Sequence, residues 1–231
     1  MLRAESLEKL RSLLAQMDMT VPADPKQRST ALLERYAAAR LLSTLPSARL
    51  GFPLSLTHRN PPDDRPDFLL DMGTRSIGIE HTRAIPQNEA HELTLRRAGN
   101  GPDTHFIQRA QPGEPRKSRQ QLIEEIKADD PGDGWAGDSP DREWAAAMFA
   151  FVSAKVVSSR KEGFQRFPEN WLLIYDEWPL PDFNPEHAAD ILLATVREQG
   201  DFDVFDHIFV VDQSFLWDFS REGRKILTMP K

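Results

Sequence analysis

The sequence predicts an α/β fold, a central mixed β-sheet with helices on its faces. Three observations predict it. Helical periodicity fills residues 6–45, a hairpin with period-two alternation follows, and two continuous apolar runs, Trp171–Tyr175 and His207–Asp212, lie near the C-terminus with a helical segment before each. Continuous apolar runs belong to strands buried on both faces, and an order of α, β-meander, then α-β-α-β builds mixed sheets.

Ser6–Met17 places Leu7, Leu10, Leu13, Leu14 and Met17 on one helical face. Two prolines within Val21–Lys26 break it. A second helix spans about Ser29–Leu45, with Ser29 or Thr30 as its cap and Pro46 as its end. Leu50–Leu56 reads as a short strand and Arg59–Pro66 as a loop. Asp67–Asp71 and Ser76–Thr82 form the hairpin. Pro86–Arg116 is polar, rich in Gly and Pro, and reads as a long flexible insertion. Lys117–Ala128 is a short helix and Asp129–Pro140 an acidic loop. Asp141–Lys161 is a helix capped by Asp141, and Pro185–Glu198 another. Phe215–Phe219 and Lys225–Met229 form a closing hairpin. The domain reading is a helical region over residues 1–46 packed on a core over 47–231, with the insertion at about 86–116 and one domain overall.

The chain has 231 residues and no cysteine, which excludes a disulfide scaffold, a thiol nucleophile and Cys-ligated metal. No secretory leader and no membrane-length apolar run is legible, so the expected location is the cytoplasm, with no membrane partner. The net charge of −7 argues against a passive nucleic-acid binder, which is usually basic. It argues less against an enzyme whose carboxylates hold cations.

The hairpin carries the chemistry. With Gly73-Thr74 at the turn, Asp67 falls opposite Glu80, Leu69 opposite Gly78 and Asp71 opposite Ser76. Phe68, Leu70, Ile77 and Ile79 make a core face. Asp67, Asp71, Ser76, Glu80 and Thr82 share the other, with Gly78 leaving open space between them. Opposed residues on one face lie about 5 Å apart at Cβ, so two carboxylates there repel unless a hard cation such as Mg²⁺ or Mn²⁺ joins them. An ordinary half-exposed hairpin, polar outside and apolar inside, has the same pattern. His81 alternates onto the core face, where a hydrogen-bonded buried histidine is the ordinary expectation.

Pro66-Asp67, a hydrophobic strand, a turn and Ile79-Glu80-His81-Thr82 together resemble the PD-(D/E)XK nuclease superfamily. The run "RPDFLLDMGTRSIGIEHTR" is similar to its variant branch with Glu-x-Thr in place of Glu-x-Lys, and "SAKVVSSRKEGFQRFPENWLLIYDEWP" is similar to uncharacterised bacterial members. The resemblance spans Leu50–Pro179. It implies a restriction-endonuclease-like core with a four-stranded mixed sheet, an N-terminal helical extension, and phosphodiester hydrolysis dependent on Mg²⁺ or Mn²⁺. Asp67 and Glu80 would be metal ligands and nucleic acid, DNA foremost, the partner. Thr82 stands at the usual lysine position. It could still hydrogen-bond a water or a phosphate oxygen.

Superfamily variants often recruit a lysine from a neighbouring helix. Lys155 continues the apolar stripe Trp144, Met148, Phe151, Val152, an unusual place for a charge; the alternative is a packed stem with a snorkelling ammonium. Lys161, about two-thirds of a turn further round, is the second candidate. Many members also place a glutamate on the helix before the sheet, which makes Glu34, beside Ala38 and Leu41, the third acidic candidate. A solvated flank residue is the simpler alternative there.

The leading expectation is a Mg-dependent endonuclease-like enzyme. The alternative is a catalytically inactive nuclease-fold domain acting as a protein or nucleic-acid interaction module, favoured by the acidic charge and the missing lysine. A third is a hydrolase of other phosphate esters using the same metal pair. The first helix could cap the domain or join two copies as a homodimer.

Overall fold

Eight strands hydrogen-bond side by side in the order in which the chain makes them. The computed structural model describes residues 1–22, 27–59, 66–102 and 104–230. The strands are β1 (Leu2–Ala4), β2 (Leu54–His58), β3 (Phe68–Met72), β4 (Arg75–Ala84), β5 (Glu169–Asp176), β6 (His207–Val211), β7 (Phe215–Ser220) and β8 (Arg224–Thr228). β4 runs parallel to β5, and β5 to β6; the other neighbours are antiparallel. The fold is the expected α/β class, a mixed sheet flanked by helices. The sheet is twice the width of the four-stranded core that the family resemblance implies.

Alternation along the central strands sorts side chains into two cores. On one face, Trp171, Leu173 and Tyr175 of β5 join Phe68, Leu70, Ile77 and Ile79 against α1 (Leu7–Gln16) and α2 (Thr30–Thr44). On the other, Leu172 and Ile174 join Ile208, Val210, Trp217 and Phe219 against α5 (Ser139–Ser159) and α6 (Pro185–Gln199). The described residues of 1–46 thus cover one face of the sheet and add its edge strand. Both long N-terminal helices start at a serine whose hydroxyl accepts an amide of the first turn, Ser6 from Lys9 and Ser29 from Leu32.

Several boundaries differ from the sequence reading. β1 was not expected; three residues carry no readable alternation, and pairing with β2 holds them. β2 starts at Leu54, not Leu50. The insertion contains a helix, α3 (Glu89–Arg97), whose buried Leu95 meets Leu122 and Ile126 of α4 (Arg119–Ala128) in a small separate core. α5 begins at Ser139, with Asp138 rather than Asp141 at the cap position. Pro140 sits in the first turn, where its missing N–H costs nothing. Asp141 is buried, accepting from the Asn184 amide at 2.9 Å and lying 2.8 Å from His187 Nδ1. Residues 60–65 of the expected loop and 23–26 of the expected helix break lie outside the described residues.

Candidate active site at the open end of β4

The β3–β4 hairpin has the expected register. Leu69 faces Gly78, Asp71 faces Ser76, and Gly73, at φ +61°, opens the two-residue turn. Ladder pairing stops at Phe68–Ile79, whereas β4 continues to Ala84, paired from there only with β5. Among the described residues no strand pairs with the β3 side of Glu80–Ala84. Pro66 cannot donate to a ladder, which fits a strand that ends there. Asp67 stands one register step beyond the last pair, opposite Glu80. Its Oδ2 accepts the His81 N–H at 2.7 Å, so a side chain supplies the rung that a carbonyl would otherwise supply.

The open edge lets helices from both faces reach one cavity. It has a volume of about 400 Å³ and is lined by Arg28, Thr30, Leu33, Glu34, Asp67, His81, Thr82, Arg83 and Lys155. α2 delivers Glu34, which is 5% exposed despite its charge; its Oε2 lies 2.6 Å from His58 Nε2. The buried reading of Glu34, not the solvated one, is the observed one. α5 delivers Lys155 by continuing the buried series Trp144, Met148, Val152. Lys155 Nζ lies 2.7 Å from Glu80 Oε1, and Glu80 is 2% exposed. The ammonium turns in to a buried carboxylate, so the snorkelling alternative does not hold. Such a pair survives burial only because each charge offsets the other's desolvation.

Thr82 is half-buried at the cavity wall, beside Ile174 of β5. Lys161 is not brought to the site. It is exposed, two residues past the end of α5, and the helix that was to carry it stops at Ser159. Gly78 does not leave open space either. A Cβ there would meet Phe167 and Pro66, each at 2.7 Å, because those side chains cover the middle of the polar face. His81 is buried as expected but not satisfied: among the described residues its Nε2 has no hydrogen-bond partner. Burial, then the nearby Lys155 charge, pushes its pKa down to about 3, so the ring is neutral at ordinary pH.

Four charged or polar neighbours were not foreseen. His58 holds Glu34. Glu177, just past β5, receives Arg28 Nη1 at 3.0 Å and also Arg83 Nε. Arg83 lies inside the quoted motif run, yet a strand arginine has no pattern of its own. Arg28 precedes α2 and no periodicity marks it. Among the described residues around the cavity, three cations (Arg28, Arg83, Lys155) face four carboxylates (Glu34, Asp67, Glu80, Glu177), besides the imidazoles. Buried carboxylate oxygens are the donors that Mg²⁺ and Mn²⁺ select, and a surplus carboxylate suits a divalent cation. The donor set fits such an ion in chemistry. Among the described residues, however, no three His, Asp or Glu side chains stand gathered as a ready-made cage.

Comparison with protein-family models, with curated proteins and with solved structures finds no match for this chain. Among the described residues no helix is long and apolar enough to cross a membrane.

Proposed function

We propose that this chain is a metal-dependent nuclease of the PD-(D/E)XK type, with a restriction-endonuclease-like core. The reading is supported above all by one observation: Glu34, Asp67, Thr82 and Lys155 line one cavity at the open end of β4, and Lys155 reaches Glu80 beside it. Asp67 and Glu80 would hold Mg²⁺ or Mn²⁺, with Glu34 as a further oxygen donor. The ion would supply Lewis acidity and a hydroxide at neutral pH. Lys155, which stands in for the lysine absent at Thr82, keeps a positive charge where a phosphate gains negative charge. Thr82 can donate its hydroxyl to a phosphate oxygen. The nucleic acid is DNA in the first instance, and the setting is bacterial and cytoplasmic.

A silent nuclease-fold interaction module is the second reading. The ion pair between Lys155 and Glu80 favours it, since it occupies both groups at once. One experiment separates the two. Mg²⁺ or Mn²⁺ at millimolar concentration is expected to raise the melting temperature and to support cleavage of plasmid DNA or RNA. Asp67→Ala and Glu80→Ala are expected to abolish both effects. A melting temperature indifferent to both metals sinks the enzyme reading.

A further inference from the structure

Glu177 occupies the position of an anion between two arginines. Arg28 and Arg83 line the cavity; Glu177 does not, yet its carboxylate oxygens are divided between them, Oε1 to Arg28 Nη1 and Oε2 to Arg83 Nε. All three side chains are only partly exposed, at 14%, 22% and 19% for Arg28, Arg83 and Glu177. Each is also fixed through the backbone. Arg28 Nε donates to the Pro22 carbonyl at 2.6 Å, Arg83 pairs with Tyr175 in the β4–β5 ladder, and the Glu177 amide donates to the Ala84 carbonyl at 2.9 Å. The Arg28 guanidinium is thus anchored by the Pro22 carbonyl as well as by Glu177, and the Arg83 guanidinium by Glu177. They converge at the carboxyl ends of the parallel strands β4 and β5, the end at which open α/β sheets bind ligands.

We infer that Arg28 and Arg83 form a clamp for a phosphate group, and that Glu177 is its internal stand-in, exchanged for phosphate when the ligand binds. Guanidinium is the side chain whose planar fork matches both carboxylate and phosphate, so an arrangement that holds one anion also fits the other. The clamp stands next to the carboxylates rather than among them. A phosphate seated there is a neighbour of the reacting one, held by the strand it belongs to. The inference rests on the nuclease reading only in taking nucleic acid as the source of the phosphate. Free inorganic phosphate is the other source, and both can be measured.

The test is fluorescence anisotropy of labelled 20-nucleotide single-stranded and duplex DNA on the full chain. It is run in EDTA from 50 to 200 mM salt, with inorganic phosphate as competitor. EDTA separates this result from the metal reading, which the melting experiment judges alone. Arg28→Gln and Arg83→Gln are expected to weaken binding and each to lower the log–log salt slope by about 1. Glu177→Gln, which keeps the shape and removes the charge, is expected to tighten binding about tenfold, as loss of one like charge beside a phosphate would. Arg142→Gln, an exposed pair elsewhere on α5, is expected to change neither. DNA bound and displaced by millimolar phosphate assigns the source to nucleic acid. Phosphate binding alone, read from its stabilisation of Glu177→Gln over wild type, assigns it to the free anion. Unchanged or weaker binding of both ligands by a folded Glu177→Gln overturns the proposal. So do arginine variants that bind as wild type, and these stand as the independent arm if Glu177→Gln does not fold.

Discussion

Two regions of this molecule bury carboxylates among cations and histidines, and they do it differently. At one end of the sheet, a single carboxylate, Asp218 of β7, has a partner for each oxygen. His207 Nδ1 lies 2.8 Å from Oδ1, and Arg49 reaches Oδ2. The Arg49 guanidinium also lies 5.6 and 5.5 Å from the rings of Trp171 and Phe209. At the open end of β4, carboxylates outnumber cations among the described residues, and their partners come from separate elements around a cavity. The first arrangement also borders a cavity, but its one carboxylate is offset by two partners, one for each oxygen. In the second, among the described residues, four carboxylates share three cations around the cavity. Both regions put buried charge beside a cavity; they differ in how completely each carboxylate is matched by a partner.

The largest expected effect tests that distinction directly. Asp218→Ala leaves the partly buried Arg49 guanidinium without its carboxylate and should cost up to about 4 kcal/mol of stability, read by urea denaturation, while leaving the metal-induced rise in melting temperature intact. Glu34→Gln should do the reverse. It should cost within about 1 kcal/mol, the usual worth of one hydrogen bond, yet reduce metal affinity by tenfold or more. Equal stability losses for the two variants would erase the contrast between the regions.

A further, largely enclosed carboxylate sharpens it through pH. Asp176 ends β5, and accepts from the Trp144 indole at 2.6 Å and the Trp178 amide at 2.9 Å, with no cation among these donors. Burial pushes its pKa up to about 7 against the pull of those bonds. The native state keeps this proton while the unfolded chain releases it near 3.9, so stability is lost as pH rises from about 4 to about 7. His81 has the opposite sign. Depressed to about 3, it contributes stability above about 6.5 that is lost as pH falls. Between about 4 and 6.5 the two slopes oppose each other. Asp176→Asn should therefore stabilise the protein at pH 8 by up to about 4 kcal/mol. It should also unmask a stability that climbs with pH over the lower window. Chemical denaturation at pH 4.5, 6 and 8 checks both, and a variant no more stable than wild type at pH 8 would refute the assignment.

The smallest effect concerns position. Lys161→Gln, on the surface, should change stability by less than about 0.5 kcal/mol and leave any cleavage rate as it was. A cleavage defect there would mean that the cavity is not the site.

The hairpin, the helices and the buried strands were legible because alternation and helical spacing are local properties. The Asp67–Glu80 register followed from the turn alone, and Lys155 from a break in an apolar stripe. Lys161 failed because a helix end is set by its last contacts, which periodicity does not contain. The covering of Gly78 by Phe167 and the burial of Glu34 under His58 depend on segments distant in the chain. α3 was hidden because Leu95 is its one buried residue, and a helix with so narrow an apolar stripe looks like loop. The Arg28–Glu177–Arg83 arrangement joins residues 149 positions apart, and no window of sequence contains it.

The open side of β4 also bears on how the molecule assembles. β2 to β4 and β6 to β8 pair with close neighbours in the chain, so each set can form early. The parallel pairing of β4 with β5 must instead close residues 85–168 as one long loop, the entropically slow event. Asp67 and Glu80 belong to the first half of the sheet, Lys155 lies within the closed segment and Glu177 beyond it. The cavity thus has its full lining only once that closure is made. Any ion or phosphate bridging the two halves would act as a latch on the native state, slowing unfolding and protecting the chain from proteolysis between α3 and α4.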